Sequence, residues 1–444
     1  MKVKPIVIPF AVAVLFFACT PKVELPHIHS GNADFTRFVA IGDGYMAGYQ
    51  DGAMWQEAQS RSIPALLFSS LQQAGSTSFN QALMPDNSGL GTSSKPWEGI
   101  YVTASRLGYK TDCEGVSSLS PLKSFHSAGS EASYLSSQSV SSLDDFTVPF
   151  ANVADLNSAA LNTTNVYWNR VAGNFSGLSP AAAAASRQPS FFAAWLGMED
   201  IFYYARNGGF NCTINSSSSF AAGLDSILLP MVNNGAKGIL ATLPDFRNFP
   251  YYSLVTWNGA DLEQDDADSL TALYVSFGMP HISFQAGKNG FVIEDPAAPS
   301  GYRQMISDEY ITLSVPIDSM KCYYYGILVN VIHDRYSLDS SEVTFLDQMI
   351  SDYNAVIIQK AAQYGLAVAD MNTYFANVKT GIMSNGVEID AEFVSGGFYS
   401  LDGFYPTQKG AALIANQFIL AINAYYGSTL PAIHCADCNG VIFP

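Results

Sequence analysis

The stretch "FVAIGDGYMAGYQDG", residues 38–52, decides how the chain is read. A hydrophobic run, Phe38 to Ile41, stops at Gly42-Asp43-Gly44, with a further glycine at Gly48. A buried strand that delivers a tight turn to an active site has this pattern, because glycine lets the backbone turn where the apolar run ends. The residue at the tip of such a turn usually carries the chemistry. Here the tip is Gly44, which has no side chain.

Outward from this stretch, apolar strand-like runs alternate with amphipathic helices. The spacing predicts a helix over 62–74, where Ser62 caps, Pro64 fits the first turn and Ile63, Leu66, Leu67 and Leu71 share a face before Gly75. "FFAAWLG" (191–197) is the next buried strand, followed by the acidic pair Glu199-Asp200, with Trp195 in the core. A helix follows over 220–232, then a strand in "GILATLPDF" (238–246). A long helix over 341–364 starts at serine and stops at Gly365, leading into the strand "LAVADM" (366–371). The last helix, 407–426, closes at Gly427. This alternation is the mark of an α/β fold with a parallel sheet and helices on both faces, in which ligands bind beyond the carboxyl ends of the strands. Residues 85–150 and 250–335 break the alternation. They read as insertions over the sheet's carboxyl edge, either a lid or surface decoration. The aromatic run Tyr323-Tyr324-Tyr325 beside Cys322 is correspondingly a lid surface or plain packing.

Composition narrows the function classes. Of 444 residues, 48% are hydrophobic and 13% charged, so the chain is an ordered globular one rather than a disordered one. A net charge of −17 excludes nucleic acid as a partner, since a polyanion would be repelled and no basic stripe is present to offset this. At the amino terminus, Lys2 and Lys4 precede a ~12-residue apolar run, Ile6 to Phe17, too short to span a bilayer, which takes about 20 residues. Ala18-Cys19 follows. Residues 1–19 therefore resemble a lipoprotein signal peptide, with Cys19 acylated and anchoring the chain to a membrane. The other reading is an ordinary secretory signal with an incidental cysteine. Residues 20–34 would be the tether and 431–444 a C-terminal tail. Among the remaining cysteines, Cys435 and Cys438 could close a small disulfide loop, while Cys113, Cys212 and Cys322 leave one over whichever two join. A zinc site on His434, Cys435 and Cys438 lacks a fourth ligand, and nothing in the sequence calls for another metal or a cofactor.

Three segments end where a parallel sheet would bring them together: "AIGDGYMAG" (40–48), "WLGMEDIF" (195–202) and "LDGFYPTQKGAALIA" (401–415). Their order and spacing resemble the SGNH, or GDSL-type, hydrolases, esterases and lipases on a flavodoxin-like sheet, and most closely the lipoprotein members of the Bacteroidetes cell envelope. "NQALMPDNSGLG" and "GFVIEDPAAPSGYRQMISDE" extend the resemblance, so that the hydrolase-like domain runs over 35–430. The resemblance implies a serine nucleophile at the position of Gly44, an asparagine oxyanion donor at Glu199 and a histidine base at Tyr405, with Asp402 orienting the base. Of these, only Asp402 has the family's residue type. Gly89 or Gly91 matches a second oxyanion donor through its backbone N–H.

The candidate pocket is therefore Asp43, Gly44, Tyr45, Gly89, Gly91, Glu199, Asp200, Asp402 and Tyr405. Asp43 and Asp200 are expected to cap turns or helix starts. Glu199 and Tyr405 are expected to hydrogen-bond to each other and plug the old site. Tyr45 is the alternative, displaced nucleophile. Two functions follow, beside a third reading as a purely structural envelope component whose cleft is filled by its own side chains. One is a lipid-anchored outer-membrane protein without catalysis, holding an acyl or glycan ligand or, as the resemblance implies, serving as accessory to an outer-membrane β-barrel. The other is an esterase or lipase acting on acyl esters or acetylated glycans with displaced catalytic groups.

Overall fold

In the computed structural model, which describes residues 27–444 apart from 93–100, 128, 141 and 329, the strand at Phe38–Gly42 (β1) is buried along its whole length. It lies second from the edge of a five-stranded sheet with β2 (Asp145–Thr147), β3 (Phe191–Trp195), β4 (Lys237–Ala241) and β5 (Ala367–Ala369). In space the order is 2-1-3-4-5, and every neighbouring pair is parallel. That is the flavodoxin-like order, which places the topological switch point between β1 and β3, where Gly42 pairs with Trp195. Strands covered on both faces lose the polar alternation of an exposed sheet. "FVAIG" and "FFAAW" accordingly bury every residue.

Helices cover both faces of the sheet, among them α1 (Ile63–Leu71), α2 (Met198–Arg206), α3 (Ser217–Val232), α4 (Ser340–Tyr364) and α5 (Gln408–Tyr426). One layer is α1 with α5, and α5 lies on β4 and β5. The other is α3 with α4, and α4 lies on the same two strands from the opposite side. Capping sets the boundaries. Ser62 and Thr407 accept from Ala65 and Gly410 N–H, and Gly365 and Gly427 take the left-handed conformation after α4 and α5. The start of α4 differs from expectation by its cap: Asp339, boxed with Glu342, takes the role read for serine.

Several expectations need correction. Residues 85–150 are not all insertion, because 145–147 supply edge strand β2. That strand is three residues long and carries an aspartate whose carboxylate accepts from Thr147 and Gln81, so it reads as loop. The hairpin formed by Arg106–Thr111 and Ser117–Leu122 projects from this region. Residues 260–332 bury a hydrophobic core of their own, around Tyr274, Ile282, Val292 and Ile332. The two insertions are bolted together by a Cys113–Cys322 disulfide and by the Lys110–Asp318 and Lys321–Asp112 ion pairs. Cys212 donates to the Phe210 carbonyl. Cys435 and Cys438 stay unbonded, the Cys435 thiol turning to the Ile433 carbonyl instead of to its neighbour. Of the tyrosine run, Tyr323 and Tyr324 are exposed, while the Tyr325 hydroxyl accepts from His333 N–H.

The signal peptide, Cys19 and tether residues 20–26 lie outside the described residues. From His27 on, the stretch read as tether is fixed to the body. Thr429 N–H donates to the His29 carbonyl, and Asn32 N–H donates to the Tyr426 carbonyl at the end of α5. The 431–444 tail also packs against the body, with Asn416 holding Ile433 at both N–H and carbonyl.

Candidate functional site

Asp43 leaves the end of β1 and caps the short helix Gly44–Ala47. One carboxylate oxygen accepts from Tyr45 N–H at 3.0 Å and the other from Glu199 N–H at 2.9 Å. The second bond ties the loop after β1 to the loop after β3. That loop turns at Gly197, whose φ of +102° is a conformation other residues rarely adopt, and α2 starts immediately after it. The third loop, 402–405, arrives from the start of α5. Asp402 holds it by accepting from Phe404 and Tyr405 N–H at 2.9 and 2.7 Å, while its other oxygen accepts from Gly52 N–H. The ring of Tyr405 then lies over Gly44. A Cβ on Gly44 would sit 2.9 Å from both Cε1 and the hydroxyl of Tyr405. Three loops, the first and last of them some 350 residues apart, thus meet at the carboxyl ends of β1 and β3. The chain has a parallel α/β fold of flavodoxin-like order, with the three loops laid out as the resemblance to SGNH hydrolases implies.

Comparison with known proteins adds little to this. No protein-family model and no curated protein matches the chain. Among solved structures it is similar to an alpha/beta hydrolase from the metagenome of Lake Arreo, Spain, at 11% identity and a TM-score of 0.36, over 88% of this chain and 97% of that one. It is similar also to an acetylxylan esterase from Geobacillus stearothermophilus, at 11% identity and 0.35, over 89% and 98%. A protein described as a GDSL-like lipase from Parabacteroides merdae gives 9% and 0.35, over 89% and 99%. Likeness this slight does not bear on function, and the fold assignment rests on strand order and the three converging loops.

Within that frame, the residues expected to plug the site do so differently. Glu199 does not bond to Tyr405. Both its carboxylate oxygens accept from Nη2 of Arg206, at 2.6 and 2.8 Å. Arg206 is the last residue of α2, seven positions and two turns on, so the pair lies along one helix face. The guanidinium also stacks 4.7 Å from the centre of the Phe404 ring. Sequence reasoning missed Arg206, and the i, i+7 spacing of Glu199 and Arg206 in "MEDIFYYAR" was the available signal. The Tyr405 hydroxyl is buried without a protein partner, its ring wedged against Tyr45 and Tyr49 at 5.3 and 4.9 Å. The Tyr45 hydroxyl donates to the Phe404 carbonyl. Burial lifts both phenols well above their ordinary range, so neither is a base or a ready nucleophile.

The remaining predicted positions are structural. Asp200 accepts from Val153 N–H at 2.9 Å rather than capping α2. Gly89 and Gly91 flank Leu90, which pairs with Met54, and their close contacts are with Trp55 and Gly52. Trp195 is fully buried, its ring edge-on to Tyr45. Among the described residues no His, Cys, Asp and Glu side chains gather in a way that could hold a metal ion. A cleft of about 380 Å³ opens on the far side of Leu401 and Asp51, and neither Gly44, Glu199 nor Tyr405 lines it.

The buried carboxyls give the site a measurable signature. Burial, with the Glu199 charge second, pushes Asp43 up to about 8. Burial is also the first cause that lifts Asp200 to about 7 and Asp51 to about 6. Each folded-state value lies above the ordinary 3.8 of an unfolded aspartate, so the folded chain binds more protons than the unfolded one between the two. Stability therefore falls as pH rises through that window. A thermal unfolding series should give a higher Tm at pH 5 than at pH 8, and Asp43→Asn should flatten the slope.

Proposed function

We propose that this is a lipid-anchored cell-envelope protein of the outer membrane that keeps the SGNH fold without acyl-transfer chemistry and serves as a binding or accessory protein. The observation that carries this reading is the Tyr405 ring standing where a nucleophile's side chain on Gly44 would be. Attack on an ester needs an oxygen at that point, a base beside it and donors for the oxyanion. Gly44 supplies no oxygen, Tyr405 holds its proton, and Glu199 brings a carboxylate where an oxyanion would form. Substrate also has no way in, since Asp43, Gly44, Glu199 and Tyr405 are all buried.

The displaced-nucleophile reading loses support because Tyr45 is buried and spends its hydroxyl on the Phe404 carbonyl. Short-chain aryl esters and a fluorophosphonate probe test the matter directly. The expected result is turnover no faster than buffer and no covalent label. Turnover that disappears in Tyr45→Phe would instead establish an enzyme. The accessory half of the proposal comes from the family resemblance. A pull-down from detergent-solubilised membranes should recover an outer-membrane β-barrel protein, and recovery of none would remove that partner.

A further inference from the structure

The described chain begins at the sheet's amino edge. Strands β1, β3 and β4 all start there, and α5 runs back to it from the site, ending at Tyr426. His27 to Asn32 are hydrogen-bonded to that end of α5. Cys19 precedes His27 by eight residues, which reach at most about 25–30 Å even when fully extended. On the reading of Cys19 as the lipidated residue, this is the edge nearest the anchor, and only a fully stretched tether would let the membrane meet another face. The opposite edge is about 28 Å away, the length of α5 at 1.5 Å per residue.

Charge is distributed to suit that orientation. Residues 250–335 carry eleven carboxylates against four Lys and Arg, a net −7. They pack at the carboxyl edge, where Tyr251 N–H donates to the Gly403 carbonyl and Leu313 N–H to the Tyr251 carbonyl. At the amino edge a cleft of about 350 Å³ is lined by Arg37, Lys237, Asn234, Ser190, Asn32 and Asp34. Lys237 is fixed in place, its ammonium bonded to the Asn32 carbonyl and 5.6 Å from the centre of the Tyr426 ring. Arg37 is exposed and its guanidinium has no ion-pair partner among the described residues. Asp34 turns an oxygen back to Thr36. Two cations against one engaged carboxylate make a cationic spot on a strongly acidic chain, beside the point where the tether leaves.

We propose that the amino edge is a docking surface for anionic phospholipid, with the Arg37–Lys237 cleft taking a headgroup phosphate. The acidic insertions and their exposed aromatic residues Tyr109, Phe125, Tyr323 and Tyr324 then face away from the bilayer. An anionic leaflet attracts cations and repels carboxylates, so the same field that holds the amino edge down turns the −7 region outward.

The test uses protein purified from membranes and placed in phosphatidylglycerol-containing or all-phosphatidylcholine nanodiscs. Hydrogen exchange is then followed by mass spectrometry. Residues 28–37 and 234–238 should exchange more slowly in the anionic discs, and Arg37→Gln should give back about fivefold of that protection, the worth of one cation at such a surface. Arg37→Glu should abolish it. Lipid-dependent protection at 106–122 and 317–324 instead, or no difference between the two discs, overturns the proposal. Millimolar inorganic phosphate that protects the same segments in the uncharged discs would assign the cleft to free phosphate and also overturn it. Mass analysis of Cys19 reports on the anchor separately, because an unacylated chain that still shows the anionic protection upholds the cleft and refutes only the anchor.

Discussion

Glu199→Gln is expected to cost about 3–5 kcal/mol of stability. Removing one member of a buried ion pair leaves the other charge without compensation, and a cost of that size follows. Arg206 has nowhere to take its charge. Its side chain is 13% exposed, its Nη2 is committed to Glu199, and its Nη1 is buried without a partner. Glutamine keeps the shape and one acceptor, so the loss measures charge rather than packing. The reverse change, Arg206→Met, should cost less, because burial already raises the Glu199 carboxyl and the orphaned acid can take up a proton. Its penalty should grow as pH rises, since the proton that neutralises Glu199 is then harder to keep. The double variant should be much less damaged than the two single losses added together. Denaturant midpoints at unchanged m-value give all three numbers. A Glu199→Gln loss below about 1 kcal/mol would mean that the pair is wet and that Arg206 does not seal the site.

That pair explains a part of the site that sequence alone did not disclose. The three converging loops were legible, because each is marked locally by an apolar strand that stops at glycine or by a cap before a helix. β1, β3 and α5 announce themselves in this way. What fills the meeting point depends on contacts between residues far apart in the chain, and no local pattern encodes them. Glu199 was read as the partner of Tyr405 because both replace family residues, yet a carboxylate drawn from water favours a guanidinium over a neutral phenol. Edge strand β2 escaped notice for a different reason. Three half-polar residues at a sheet margin carry too little pattern, and only the pairing of Ala40 with Asp145 reveals them. Likewise Cys113 and Cys322 come together through the packing of two insertions, 209 residues apart in sequence.

Gly44→Ser should therefore not restore an enzyme, and by itself it should destabilise the fold. The new Cβ would lie 2.9 Å from two atoms of a ring that Tyr45, Tyr49 and Phe404 hold in place, a separation that forces something to move. Overpacking of a buried site costs about 1–3 kcal/mol. Backbone strain adds nothing, since Gly44 opens a right-handed helix where serine is well tolerated. Adding Tyr405→His should recover most of the loss by shortening the ring that blocks Ser at this position. That double variant has an oxygen and a base in contact, yet it should hydrolyse aryl esters barely faster than buffer, because Glu199 still faces the forming oxyanion. Only when Glu199→Asn and Arg206→Leu are added together is the repulsion removed without stranding a buried cation. One well-placed oxyanion donor is worth about 10²–10³ in rate. The quadruple variant should accordingly exceed the double by about that factor. Two results would defeat this account: a Gly44→Ser chain as stable as wild type, which would mean the Tyr405 ring does not fill the space, or ester turnover by Gly44→Ser alone, which would mean that a base and an oxyanion site are already in place.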